Sequence, residues 1–91
     1  MSIVVRFTPA SLTRAQYDDS VRRLREDGIF PPDGMDYHVC FGEESRLRVS
    51  EIWDSREHWQ AFGQQLMPVL ADVGIEPGEP DVFEVHNLVK R

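Results

Sequence analysis

The apolar residues of this chain switch between strand and helix spacing in one particular order, and that order restricts the fold more than any single motif. Ile3, Val5 and Phe7 alternate with Val4, Arg6 and Thr8, the period of a strand with one buried face. Pro9 then withdraws a backbone donor and ends the run. Thr13 and Gln16 have capping-box spacing, so a helix begins there. Tyr17, Val21 and Leu24 form its apolar stripe, and Gly28 supplies the stop. "FPPDGMD", Phe30 to Asp36, is turn chemistry. Period two returns with Tyr37, Val39 and Phe41 and, beyond the turn "GEES", with Leu47, Val49, Glu51 and Trp53. Asp54 or Ser55 caps a second helix, with Glu57 three residues after Asp54. Trp59, Phe62, Leu66, Val69, Leu70 and Val73 make its buried stripe. Pro68 predicts a bend or an early last turn. "GIEPGEP" ends this helix, and Val82 to Val89 reads as a last strand.

The order β-α-β-β-α-β predicts one α+β domain over residues 1–91, a ferredoxin-like four-stranded antiparallel sheet with two helices on one face. For the central hairpin, pairing Phe41 with Leu47 and Val39 with Val49 gathers Tyr37, Glu51 and Trp53 on the helix-facing side. His38, Cys40, Arg48 and Ser50 then fall on the other side; a one-residue slip would exchange the faces. The sheet face without helices carries Val4, Ile52, Val82 and Leu88 on this reading. It is too apolar for water, so the expected partner is a second copy of the chain packed on that face.

Length and charge narrow the function. A domain of 91 residues buries a modest share of its surface, which favours help from a partner subunit. Ten Lys and Arg against sixteen Asp and Glu give a net charge of -6, which argues against nucleic acid or anionic lipid. Arg22, Arg23 and Arg25 read as a solvated helix face. The lone Cys40 cannot form an intrachain disulfide and suggests a cytoplasmic setting. The opening "MSIVVRFTPA" reads as a strand, not a leader or a membrane span. The three histidines lack a tight ligand spacing, and neither metal nor organic cofactor is expected.

The element order, with "RVSEIWDSREHWQAF" running from third strand to second helix and the closing "LMPVLADVGIEPGEPDVFEVHNLVKR", resembles the dimeric α+β barrel superfamily that includes the antibiotic-biosynthesis-monooxygenase-like proteins. Its most recognisable piece is a strand ending in Trp, "EIWDS". The resemblance implies a ligand cavity inside each subunit, between sheet and helices, and activities that range from cofactor-free oxygenation of aromatic polyketide-like compounds to haem degradation. The haem-degrading branch uses an Asn near the first strand, a Trp and an axial His. Trp53 and His58 are available, but "SIVVRFT" contains no Asn and Asn87 belongs to another element, which speaks against haem chemistry.

Mapped onto that cavity, Trp53, Trp59 and Phe62 are the expected walls for a small planar aromatic ligand, although core filling alone would also explain such side chains. Glu51, His58 and Tyr37 are the candidates to handle a proton. Glu51 sits among apolar neighbours, so it is either paired, at a wet strand end, or shifted towards its neutral form. His58 faces either the cavity rim or solvent, while His38 and His86 fall nearer the dimer side. The expected activity is that of a homodimeric small-molecule-binding protein with cofactor-independent monooxygenase chemistry. The alternative is a non-catalytic binding or interaction module.

Overall fold

A computed structural model describes residues 1–91. The elements follow the expected order: β1 (Ile3–Phe7), α1 (Arg14–Glu26), β2 (Met35–Glu43), β3 (Arg46–Trp53), α2 (Arg56–Val73) and β4 (Asp81–Glu84). The strands form one sheet in the order β2-β3-β1-β4, and every neighbouring pair is antiparallel. This is the ferredoxin-like α+β arrangement.

Local chemistry fixes the helix ends. Thr13 Oγ1 accepts from the Gln16 backbone N–H at 3.1 Å, and Gln16 Oε1 accepts from the Thr13 backbone N–H at 3.0 Å, satisfying two donors that α1 itself cannot pair. Past Glu26 the Gly28 N–H donates to Arg25 O at 3.0 Å and the Ile29 N–H to Leu24 O at 2.8 Å. That reversal needs the left-handed backbone of Gly28, at φ 72°. Ser55 caps α2 by accepting from the His58 backbone N–H. The helix continues through Pro68 to Val73, so Pro68 does not shorten it. Arg22 pairs with Asp19 and Glu26 along the exposed side of α1, the solvated face expected of that basic cluster.

The hairpin register differs from the sequence reading by one residue. Val49 pairs with Cys40, Leu47 with Gly42 and Arg46 with Glu43, leaving Glu44 and Ser45 as the turn. Gly42, the only glycine near the turn and therefore assigned to it, is instead a strand residue at φ 120°. Every β2 side chain changes face as a result. His38 and Cys40 point towards the helices, opposite Glu51 and Val49. Tyr37, Val39 and Phe41 point to the open face and are 39%, 50% and 37% exposed.

The final strand also departs from expectation. β4 ends at Glu84, with one further bond from the Val85 N–H to Ser2 O at 3.0 Å. Val82 pairs with Val5 and packs against the core, not on the open face, and Phe83 pairs with Val4 and is 63% exposed. His86 and Leu88 lie beyond the strand in the exposed C-terminal segment. Lys90 then lies over the Tyr37 ring, 5.0 Å from its centroid, so this segment reaches from β4 back to β2.

The helix-facing side holds two apolar clusters. One is built on Ile3, Val5, Leu24, Trp53 and Phe62, the other on Leu12, Leu47, Leu70 and Ile75. Leu12, just before α1, ties the second cluster to the hairpin tip, donating to Ser45 O and accepting from the Leu47 N–H. The capping box sits beside that junction. Thr13→Ala is expected to lower the unfolding free energy by about 1 kcal/mol, read as a lower urea midpoint at unchanged slope.

Candidate functional site

The gap between the two clusters is a cavity of about 70 Å³, against the ~10–15 Å³ that seats one water. Leu24 and Phe62 wall it from one cluster, Leu12, Leu70 and Ile75 from the other, and Phe7 and Val49 form part of the sheet side. An adjoining groove of about 240 Å³ shares Phe7, Glu51, Phe62, Leu66, Leu70 and Pro77 as walls and adds Trp59. The lining is almost wholly apolar apart from one connected set of polar side chains.

That set crosses three elements. Tyr17, from α1, has its hydroxyl 2.7 Å from His38 Nε2 on β2. His38 Nδ1 lies 2.7 Å from Glu51 Oε2 on β3. The other Glu51 oxygen, Oε1, accepts from the Trp53 indole N–H at 3.0 Å. Strand pairing puts His38 directly opposite Glu51, and the two-residue repeat puts Trp53 on the same face as Glu51. The Glu51 side chain is only 5% exposed, yet both its oxygens are bonded, and no buried side-chain polar atom in the chain lacks a partner. Glu51 is thus paired, one of the three arrangements that the sequence leaves open, and its partners are a histidine and an indole.

With Glu51 a carboxylate and His38 a neutral imidazole, the hydrogen-bond pattern of the set is fixed. His38 donates from Nδ1 to Glu51, which leaves Nε2 to accept the Tyr17 hydroxyl. Burial, with the nearby Cys40 and Glu51 as smaller contributors, pushes the Tyr17 phenol up to about 12. The Phe30 ring meets the His38 ring at 5.2 Å between centroids with the planes nearly perpendicular. Ser20, also on the cavity wall, is satisfied locally by donating to Tyr17 O at 2.7 Å.

Of the residues expected from the sequence, Glu51 and Phe62 line the cavity and Trp59 the adjoining groove. Trp53 is fully buried behind them, with the Phe62 ring 5.6 Å away, and meets the site through its bond to Glu51. Tyr37 is excluded by the register, being on the open face under Lys90. His58 is outside as well. It is bonded to Asp54 at 2.7 Å on the surface, and the Asp54 carboxylate raises its pKa. A Cβ at Gly34, which has φ 86°, would meet the His58 ring, so that histidine caps the loop before β2. The sequence does not point to Tyr17 or His38: Tyr17 reads as part of the apolar stripe of α1, and the hairpin register read from the sequence puts His38 on the opposite face with the rest of its set. No three His, Cys, Asp or Glu side chains converge as a metal site would need, and no helix is long and apolar enough to cross a membrane.

Neither a protein-family model nor a curated protein sequence matches the chain. Solved structures do. A candidate antibiotic biosynthesis monooxygenase of Chloroflexus aurantiacus J-10-fl superposes with a TM-score of 0.69 at 17% identity, over 99% of this chain and 98% of that one. SnoaB, a cofactor-independent oxygenase of Streptomyces nogalater, gives 0.64 at 14% identity over 99% and 96%. A second candidate antibiotic biosynthesis monooxygenase, from Deinococcus radiodurans, gives 0.58 at 14% over 100% and 98%. The fold is that of the antibiotic-biosynthesis-monooxygenase-like proteins. At such identities the likeness speaks for architecture, and activity must be argued from the site.

The raised Tyr17 pKa fixes a pH dependence. In the unfolded chain Tyr17 ionises near its ordinary value of about 10, and in the folded chain near 12. Below pH ~10 both states keep the proton and the full stability is present; between ~10 and ~12 the unfolded state ionises first and gains. Urea-unfolding free energy is therefore expected to fall as pH rises above about 10, and Tyr17→Phe should flatten that fall.

Proposed function

We propose that the chain is a homodimeric small-molecule-binding protein that carries out cofactor-independent monooxygenation of a small aromatic or polyketide-like compound, in the cytoplasm. The observation that carries this reading is the cavity itself: an apolar space between sheet and helices whose polar lining includes a buried, fully bonded carboxylate system. A flat apolar ring suits such walls, and a basic group beside an otherwise dry ring is what carbanion-forming chemistry requires. The fold it shares with SnoaB, a cofactor-independent oxygenase, supports the same reading. An electron-rich phenol, once deprotonated, gives electrons directly to dioxygen. One oxygen atom enters the ring at a C–H position, which becomes a carbonyl, and the other leaves as water. The protein then supplies a base, orientation and exclusion of bulk water. Glu51 carries the negative charge behind that base, while Trp59 and Phe62 hold the ring.

The dimer reading rests on the open sheet face. Val4, Ile52, Tyr37, Val39, Phe41 and Phe83 share it through the strand pairing, and only 13 of the 91 residues are buried within the chain. Packing two such faces together would cover a second apolar layer that this monomer cannot cover alone. Light scattering at micromolar concentration should give twice the 10.5 kDa chain mass. Val39→Asp, which would bury an unpaired carboxylate in that interface, should return the single-chain mass. A wild-type monomer would refute the dimer.

The catalytic reading is checked by oxygen-electrode measurements with a panel of phenols and hydroquinones. Uptake of one dioxygen per ring oxidised is expected for at least one of them, with no added metal, flavin or nicotinamide. Absence of uptake across the panel, with ligand binding intact, would leave the non-catalytic binding module as the surviving reading.

A further inference from the structure

Resting on the reading of the cavity as a ligand site, we infer that Tyr17 is the residue that touches the ligand's acidic hydroxyl, and that His38, held by Glu51 and Trp53, receives the proton through it. The sequence singles out Glu51 and Trp53, while Tyr17 and His38 join them only through the strand register and the packing of α1.

The geometry restricts the path. Tyr17, His38 and Glu51 all line the cavity, and His38 Nε2 is engaged by the Tyr17 hydroxyl at 2.7 Å, so the Tyr17 oxygen is the atom that links a ligand hydroxyl to that nitrogen. The opposite nitrogen faces Glu51 at 2.7 Å. The Phe30 ring packs against the imidazole. The titratable groups that face the ring are therefore Tyr17 from α1 and Glu51 from β3, and both are hydrogen-bonded to it.

The transfer balances. In the resting pattern Glu51 is a carboxylate, His38 is neutral with its proton on Nδ1, and Tyr17 O–H donates to Nε2. A ligand hydroxyl gives its proton to the Tyr17 oxygen while the Tyr17 proton passes to Nε2. The ligand becomes an oxyanion that accepts from the Tyr17 O–H, and His38 becomes an imidazolium between Tyr17 and Glu51. No bond other than the O–H and N–H bonds changes, and no electrons leave the ligand in this step. The net charge of the site stays at one negative: the step adds an oxyanion on the ligand and an imidazolium at His38, and the imidazolium forms against the Glu51 carboxylate 2.7 Å away, which offsets the cost of charging it in a low-dielectric space. Tyr17 stays a phenol before and after, in keeping with the burial that disfavours its ionised form.

Glu51 and Trp53 act through His38. Trp53 is 0% exposed and spends its only polar atom on Glu51, so the carboxylate cannot rotate away without leaving that indole N–H unpaired. These two are positioning residues, and Tyr17 is the catalytic one.

The test uses 4-nitrophenol, whose ionised form is yellow and whose neutral form is not, at a mildly acidic pH where the free probe is mostly neutral. Binding is followed separately by calorimetry. The wild type is expected to bind the probe and turn it yellow. Tyr17→Phe and His38→Gln should bind it with the ionised fraction lowered by at least about tenfold, one pKa unit. Glu51→Gln should lower it in the same direction, while His58→Gln and Tyr37→Phe, outside the cavity, should leave it unchanged. Nitrogen-15 spectra of the wild type, which need no variant to fold, should show neutral His38 with its proton on Nδ1. A wild type that binds the probe only in its neutral form overturns the relay and leaves the binding reading standing. A His38 proton on Nε2 likewise overturns the relay, and ionisation that survives Tyr17→Phe overturns the role of Tyr17. A wild type that does not bind the probe at all removes both this inference and the aromatic-ligand reading on which it rests.

Discussion

A carboxylate buried beneath two helices organises the centre of this molecule. Glu51 has almost no contact with water, and an isolated carboxylate in that position would destabilise the fold by far more than one hydrogen bond returns. Its two oxygens therefore dictate their surroundings. One must meet a donor on the same strand, which Trp53 provides two residues on. The other must meet a donor on the neighbouring strand, and His38 is the donor-bearing side chain that faces it. A hairpin slipped by one residue would set Tyr37 or, in the other direction, Val39 opposite the buried charge, and would take His38 off the helix-facing side. The register of β2 and β3, the inward direction of His38 and the contact with Tyr17 on α1 thus go together around one polar group.

The interior is divided into two clusters, built on Trp53 and on Leu47, and the polar set borders the space between them. The cavity lies between them, with walls drawn from both. Most of its walls come from the sheet-helix interface, and the loops between elements add Pro9, Leu12, Phe30, Ile75 and Pro77. The turn sequence from Gly74 to Pro80 contributes only Ile75 and Pro77 to its wall.

What was legible in the sequence was local. The capping box at Thr13 and Gln16, the glycine stop at Gly28 and the apolar stripe of α2 each depend on residues a few positions apart, and each stands in the structure as read. The burial of Glu51 and Trp53 was legible too, because β3 alternates cleanly. The face of β2 was not. Its alternation sets Tyr37, Val39 and Phe41 against His38, Cys40 and Gly42, and the more apolar set was assigned to the core. Where both faces of a sheet carry apolar side chains, as here with Val39 and Phe41 on the open side, alternation alone does not say which face is the inner one. The turn offered no correction, because Gly42 looks like a turn residue and is a strand residue. On that reading Tyr17 and His38 lie apart, although their side chains touch. The need of Glu51 for a donor across the hairpin does not decide the register, because Tyr37 in the slipped pairing also carries one.

The central claim is that this inward-facing polar set borders a space that accepts a small aromatic ring. Magnetisation transfer between bound phenol and methyl groups of carbon-13-labelled protein tests it most directly, because the two sheet faces carry different methyls. The account predicts transfer to Val49, Leu66 and Leu70, which line the cavity, and none to Val39 or Ile52 on the open face. Transfer to Val39 and Ile52 with none to Val49 would place the ligand on the wrong side of the sheet and contradict it.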